Sequence, residues 1–125
     1  MGGYVFPDAA KCVKRVLDKA GFRTRIWLSP EDVDGRETVH VQDMGGTEVS
    51  VFRTDRILFD CYAGSRDAAR DLAETVKVLL VDRSHDTVDG VLDTLVVEVV
   101  PTFEPYPSDS VSKYNMILRA ESRPI

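Results

Sequence analysis

The amino-acid sequence predicts an α/β (α+β) fold with a single, mostly antiparallel or mixed sheet of about six strands and two helices packed on one face. Two segments repeat apolar residues every three or four positions, which is typical of amphipathic helices. The segments around them alternate or continue apolar residues over strand-like lengths. Because the chain has 125 residues and no internal repeat, we expect residues 1–125 to form one domain with its own core.

Two helices are predicted. Residues 7–20 carry apolar side chains at helical spacing, and Gly21 is placed to end the helix. The second helix begins after Ser65, a good N-cap residue, and ends near Val81, with one continuous apolar stripe between them. Neither segment is long enough to be a stable helix alone in water, so both should bury their apolar stripes against a sheet.

Strands and loops account for the rest of the chain. Gly45 and Gly46 are expected to form a tight turn between two strands. Three polar stretches are expected to be loops: residues 29–38, which are acidic, residues 83–90, and residues 101–112, which contain three prolines. The predicted strands are residues 23–29, 39–44, 48–53, 56–62, 91–100 and 113–122.

Composition excludes several classes of protein. The net charge is −5, and an acidic protein is a poor non-specific ligand for nucleic acid or anionic membranes. No apolar run approaches the ~20 residues of a membrane-spanning helix, and the first residues lack the pattern of a secretory signal. We therefore expect no membrane partner and a reducing, cytoplasmic setting, in which Cys12 and Cys61 are buried free thiols.

Side chains that could carry catalysis are sparse. His40 lies within a predicted strand, and His85 lies in a polar loop beside Ser84 and Asp86, where adjacent residues cannot converge as a catalytic triad requires. Asp60, inside an apolar strand, is expected to face outward or to pair with an arginine such as Arg56. No metal-ligand, phosphate-loop or paired-carboxylate motif is present, so the sequence predicts no enzyme, no catalytic residues, no cofactor and no metal.

Charge is unevenly distributed along the chain. Residues 11–25 contain six basic residues and one acid, which gives this segment a charge of +5. A solvated helix face, a phosphate contact and a subunit interface are all compatible with this pattern. In a head-to-tail ring, a basic patch on one subunit meets an acidic patch on the next, which residues 29–38 could supply. The candidates for the subunit interface are Lys11, Lys14, Arg15, Lys19, Arg23 and Arg25.

Residues 56–73 resemble the strand–turn–helix of phage tail terminator proteins. In that family a strand ending in an aromatic and a small residue leads into a Ser- or Thr-capped, Ala-rich helix. Here Tyr62 is followed by the small residues Ala63 and Gly64, and Ser65 is placed to cap the helix. The later strand, proline-containing segment and final strand of the family correspond to residues 95–100, 101–107 and 114–119, so the resemblance covers nearly the whole chain.

The resemblance implies a structural virion protein that closes into a ring, usually a hexamer, and has no catalytic residues. Such a ring sits on the last ring of the tail tube protein, stops tube growth and presents a surface to the head-completion (connector) protein. It implies a protein made in the host cytoplasm and located in the tail or neck of the virion. DNA must pass through its channel without specific binding, which suits an acidic chain.

The two long polar loops, residues 29–38 and 101–112, are expected to contact partners or to line the channel. Two other interpretations stay open. A small ligand-binding or regulatory domain of ferredoxin-like type would have a pocket between helix and sheet, and a small enzyme would bring Asp60 and a histidine into one cleft. The candidate channel or partner residues are Glu31, Asp32, Asp34, Glu37, Glu104, Tyr106 and Asp109.

Overall fold

A computed structural model describes residues 3–125. All strands belong to one six-stranded sheet with the order β1-β2-β3-β6-β5-β4, in which β1 and β2 are parallel and every other pair is antiparallel. The predicted fold class is therefore confirmed. The elements are α1 (Ala9–Lys19), β1 (Thr24–Arg25), a 3-10 turn (Pro30–Asp32), β2 (Thr38–Val49), β3 (Phe52–Ala63), α2 (Arg66–Leu80), β4 (His85–Thr87), β5 (Gly90–Glu104) and β6 (Ser112–Ser122).

Both helices cover the same face of the sheet. Alternate residues of the central strands point to that face, because successive side chains of a strand lie on opposite sides. The apolar stripes of α1 and α2 join these residues in one continuous buried cluster. Its largest members include Val13 and Leu17 from α1, Ile57 and Phe59 from β3, Val76 and Leu80 from α2, and Met116 and Leu118 from β6.

Side-chain caps fix where the helices begin. The Asp8 carboxylate accepts a hydrogen bond from Lys11 N at 3.2 Å, and Ser65 Oγ accepts one from Ala68 N at 3.1 Å. From its start, α1 runs across the sheet and contacts strands at both ends of it, β1 and β2 on one side and β4 and β5 on the other. The sheet is thus curved around α1, and its outermost strands are short.

The expected turn at Gly45 and Gly46 is wrong. β2 continues through both glycines as far as Val49, with a register shift against β3 between Asp43 and Gly46, and the chain reverses at Ser50, which has φ +54°. Gly46 is required for a close approach rather than for a turn, because a Cβ atom there would lie 1.7 Å from Thr54 O on β3.

Three other expected boundaries differ from the structure. The strand predicted over residues 23–29 is limited to β1, because the chain bends away from β2 after Arg25. The loop predicted over residues 83–90 contains β4, which pairs with the start of β5. The irregular segment predicted from residue 101 begins later, because β5 stays paired with β6 as far as the Glu104–Lys113 pair.

The observed order of elements also bears on the ferredoxin-like alternative. A helix precedes the first strand here, and three strands follow each helix if β1 is counted. The ferredoxin-like arrangement places one helix between single strands in the order β-α-β-β-α-β, so it is not the fold of this chain. Over residues 3–125 no helix is long and apolar enough to cross a membrane.

Candidate functional site

The basic residues next to β1 are bound by the acidic loop of the same chain. The Arg23 guanidinium lies 3.3 Å from Asp32 Oδ1 and 3.2 Å from Asp34 Oδ1, and it also donates to Thr38 Oγ1 at 2.8 Å. Arg25 Nε lies 3.3 Å from Asp32 Oδ1. These contacts bring part of the predicted basic patch and part of the predicted acidic patch together within one molecule.

Two of the four basic residues on α1 also have partners within the chain. Lys14 Nζ lies 2.5 Å from Asp18 Oδ2, and Arg15 Nε lies 2.8 Å from Asp89 Oδ2. Lys11 and Lys19 are exposed and form no ion pair in the described part of the chain. The charge of +5 read from residues 11–25 is therefore largely balanced in three dimensions, and these two lysines carry what remains at this surface.

The loop between β1 and β2 is held by its own hydrogen bonds. Asp32 Oδ2 accepts from Ser29 N at 3.0 Å, which closes the 3-10 turn. Hydrogen bonds from Arg36 hold the pKa of Asp34 well below its usual range. Glu31 and Glu37 remain exposed, and neither forms an ion pair with the residues that the structure describes.

Two of the three candidates near the last loop, Glu104 and Tyr106, contact residues of the helix-free face of the sheet. Glu104 Oε2 lies 2.7 Å from Lys113 Nζ, which joins the end of β5 to the start of β6. The Tyr106 ring makes an edge-to-face contact with Tyr62, with 5.5 Å between ring centroids. Tyr62 is therefore buried although no helix covers it, whereas Asp109 is exposed.

A polar cluster centred on Asp60 lies on this helix-free face. Asp60 Oδ2 accepts a hydrogen bond from Gln42 Nε2 at 2.8 Å and lies 4.0 Å from His40 Nδ1, while Lys113 Nζ lies 3.6 Å from Oδ1. Burial raises the pKa of the Asp60 carboxyl, and the Lys113 ammonium opposes that shift. Asp60 is buried rather than outward-facing in solvent, so the sequence-based expectation for it is wrong.

The expected partner of Asp60 is also different in the structure. Arg56 instead forms an ion pair with Glu98 at 2.5 Å, across the intervening strand β6. Sequence reasoning missed this face as a unit, although its signal is present in β3, where Arg56, Leu58 and Asp60 alternate with the core residues. An ion pair between residues that are 42 positions apart leaves no local pattern in the sequence.

The other candidate chemical groups do not assemble around Asp60. His85 lies in β4, at the opposite end of the sheet, where its Nε2 lies 3.0 Å from Leu80 O. Cys12 and Cys61 are buried free thiols, as expected, and burial raises the pKa of both. Within residues 3–125 no group of three or more His, Cys, Asp or Glu side chains is arranged to hold a metal ion.

Trp27 is the most exposed large hydrophobic side chain of the described residues, at 90%. It follows β1 and stands between two shallow grooves. One groove is shared with α1 and includes Lys11, and the other runs along β2 and includes Val41 and Asp43. The space between the helices and the sheet is filled by the buried cluster, so these grooves lie on the surface rather than at the helix–sheet junction that a ferredoxin-like ligand pocket would use.

The fold and its surface define a small α+β domain with one helix-free sheet face. No family model and no curated protein matches the chain. Among solved structures, the fold is similar to that of a chain in the virion of a native gene transfer agent (GTA) particle, with a TM-score of 0.62. The alignment covers 86% of this chain and 84% of that chain at 12% sequence identity, so the two share a fold over nearly their whole lengths.

Proposed function

We propose that this chain is a structural component of a phage-like virion and, within that class, a tail terminator. The observation that carries the proposal is the fold likeness to a chain of a gene transfer agent virion over 86% of this chain and 84% of the other. Because nearly all of both chains align, the likeness is one of complete units rather than of a shared motif. The resemblance of residues 56–73 to tail terminators selects the particular role.

The proposed protein acts as one domain and is not an enzyme. The best-placed groups for chemistry, His40 and Asp60, are each occupied by structural contacts. His40 Nε2 lies 3.0 Å from Ile26 O, and Asp60 is held by Gln42 and Lys113. Asp60 Oδ1 accepts no hydrogen bond, but it is buried, and a general base needs a position that a substrate proton can reach.

In this role the chain forms a homo-oligomeric ring, with six copies as in the family it resembles. One side of the ring binds the end of the tail tube and the other side binds the head-completion protein. The proposed contact elements are the loop before β2, with Glu31 and Glu37, and the loop after β5, with Tyr106 and Asp109. Both loops are largely exposed in the single chain, although Tyr106 is half-buried against Tyr62, and a partner can contact them without disturbing the sheet.

Native mass spectrometry and negative-stain microscopy of the purified protein test the ring. We expect a particle with a whole-number multiple of the 14.0 kDa chain mass and a central opening. In a second assay, the protein is added to its own tail tube protein during polymerisation and should bind tube ends and stop their growth. Rings that leave tube length unchanged would contradict the terminator role but keep the virion ring, whereas a chain that never associates would contradict both.

A further inference from the structure

Two long stretches of sheet edge have no strand partner within the described residues. β1 pairs only with Val39 and His40 of β2, so residues 41–49 have no paired strand on that side, although residues 26–28 lie near the first of them. β4 pairs only with the first residues of β5, up to Leu92, so residues 96–104 are open on the other side of the sheet. Each open stretch presents backbone N–H and C=O groups that can pair with another chain.

Exposed apolar side chains concentrate at these two edges. Proteins that remain monomeric usually protect an open edge with lysines, prolines or an early end to the strand. Residues 96–104 include a single proline, Pro101, and no lysine, and their two glutamates are bound on the sheet face by Arg56 and Lys113. The exposed apolar residues are Val96, Val99, Val100 and Phe103 on β5, and Met44, Val49 and Phe52 on β2 and the start of β3.

We propose that these two edges bind each other between successive copies of the chain, so that β5 of one copy adds to β2 of the next. The inference rests on the proposed ring and identifies its junction. The two edges are different surfaces, and a contact between different surfaces repeats from copy to copy and forms a ring when the rotation between copies closes. Neither edge then remains open, which removes the exposed edges of the single chain.

Strand direction is compatible with this junction. From β2 through β3 and β6 to β5, each strand is antiparallel to its neighbour, so β5 runs opposite to β2. Copies related by rotation about a common axis keep the component of each strand's direction that lies along this axis. A β5 edge placed beside the β2 edge of the next copy therefore forms an antiparallel pair, which extends the ladder already present within each chain.

The two open stretches also lie at the same level along the strand direction, because their residues share rows of paired residues across the sheet. Val41 shares a row with Phe59 of β3 and Met116 of β6. On β5, Thr102 and Val99 pair with the residues on either side of Met116. Copies can therefore pair along these stretches with only a small stagger, which strand tilt in a closed sheet supplies.

Trp27 and the charges near it fit the same junction. The groove along the β2 edge has Val41 and Asp43 on one side and Trp27 on the other, so an added strand would cover the exposed indole. At the end of β5, Arg66 lies over the Phe103 ring, 5.3 Å from its centroid, and forms no ion pair with the described residues. Thr38 and Glu104 lie in one row, so the acidic loop before β2 reaches the height of Arg66.

Fluorescence tests the junction directly, because Trp27 is the only tryptophan of the chain. The assembled protein should emit at shorter wavelength and resist acrylamide quenching, whereas the dissociated protein should emit like a solvated indole. Val100→Lys should prevent both assembly and the shift. Val78→Lys on α2 is the matched control, since Val78 and Val100 are each 63% exposed, and it should assemble like the unchanged protein.

Cysteine cross-linking tests which edges meet. Cys12 and Cys61 are buried, so a short bismaleimide should react mainly with introduced thiols. A mixture of Met44→Cys and Val100→Cys chains should give cross-linked dimers, the double variant should give ladders up to the full ring, and each single variant alone should give neither. Dimers from Val100→Cys alone would mean a two-fold β5–β5 contact and would overturn the inference.

The two proposals fail in different ways. The edge junction would be overturned if Val100→Lys chains assembled into normal rings in which acrylamide quenched Trp27 as it quenches a solvated indole. The proposal of a virion ring would then still stand. A protein that stays monomeric at every concentration and gives no cross-links would overturn both. Circular dichroism of each variant should match that of the unchanged protein, which separates loss of assembly from loss of folding.

Discussion

Arg15 of α1 and Asp89 of the β4–β5 turn form an ion pair, with 2.8 Å between Nε and Oδ2. The pair ties the first helix to the far end of the sheet, although the two residues are 74 positions apart. The Arg15 guanidinium is therefore already paired within its own chain and is less available to a neighbouring subunit. The basic surface of α1 that remains available to a partner is centred on Lys11 and Lys19.

We expect Lys14→Glu combined with Arg15→Glu to weaken ring assembly, and more so at low salt, where screening is least. The matched variant adds Asp18→Lys and Asp89→Lys, which restores both ion pairs in reverse and separates assembly from the stability of the chain. Sedimentation velocity at two salt concentrations measures the association.

Lys11→Glu with Lys19→Glu should weaken assembly without loss of thermal stability, because neither lysine has an internal partner. Unchanged assembly in both pairs would remove electrostatics from the interface.

The contact loops can be tested by amide hydrogen exchange. We expect residues 105–111 and the exposed part of residues 29–38 to become protected when the ring binds the tail tube or the head-completion protein, because loops that order on a partner lose solvent access. The β4–β5 turn at Val88 is an internal comparison, since it is exposed and no contact is proposed for it. Equal exchange of both loops in the free chain and in the complete assembly would contradict their role as contacts.

Local signals explain how much of the fold the sequence predicts. Both helices are correct because their apolar spacing and the caps Asp8 and Ser65 lie within a few residues of each other. The centre of β3 is correct because it is continuously apolar. The turn at Gly45 and Gly46 is wrong because a glycine pair marks either a turn or a close approach, and only the position of Thr54 on the neighbouring strand distinguishes the two.

The functional surface is predicted less well because it depends on contacts between distant segments. β4 has no strand pattern of its own and exists through its pairing with the start of β5. The basic and acidic patches are correct as composition, but Arg23 and Arg25 meet Asp32 within one chain. Trp27 is exposed in the single chain, and only the three-dimensional arrangement shows that it lies outside the core.

Gly46 should not tolerate a side chain. We expect Gly46→Ala to lower the free energy of unfolding by about 1–3 kcal/mol, because the new methyl group collides with the backbone of Thr54 and forces β2 away from β3. Gly3→Ala is the control, since nothing lies within 4 Å of its Cβ position. Urea unfolding measures both. A Gly46→Ala chain as stable as the unchanged protein would mean that the bulge in β2 can relax.

Asp60 and Lys113 should respond to pH in a defined direction. The folded-state pKa of Asp60 is raised by burial, so its carboxylate opposes folding increasingly as pH rises from the unfolded-state pKa through the folded-state pKa. Lys113→Met removes the opposing ammonium and should cost roughly 3 kcal/mol or less near neutral pH. The loss should shrink at acid pH, where the Asp60 carboxylate gains a proton.

The reverse substitution supplies the comparison. Asp60→Asn should cost less near neutral pH, because Gln42 can still donate to the carboxamide oxygen and Lys113 keeps Glu104 as a partner at 2.7 Å. Urea unfolding at both pH values gives the two free energies for each variant. Equal losses for Lys113→Met at neutral and acid pH would show that Asp60 does not titrate in the way its burial implies.

The last prediction concerns DNA. A terminator must let the genome pass without holding it, whereas a wall of free lysines and arginines would neutralise phosphates, release counterions and retain the duplex. In a ring whose sheets join edge to edge we expect the helix-free face to line the channel. On this face Arg56 is bound by Glu98 and Lys113 by Glu104. The positive charges of these two side chains are thus largely balanced by glutamates of the same chain, whether or not DNA is present.

We therefore expect the purified protein to show no salt-sensitive binding to duplex DNA near physiological ionic strength. Glu98→Gln combined with Glu104→Gln leaves Arg56 and Lys113 without their glutamate partners and should create weak binding. The logarithm of the binding constant should then fall with the logarithm of the salt concentration, with a slope of about −0.9 per phosphate contacted. Fluorescence anisotropy with labelled duplex at several salt concentrations measures both proteins.

Because Lys11, Lys14 and Arg15 lie on α1, away from the helix-free face, they should not line the channel of an assembled ring. Tight binding by the unchanged protein, or a channel lined by those three residues, would place the basic surface on the inside and favour a role in gripping DNA.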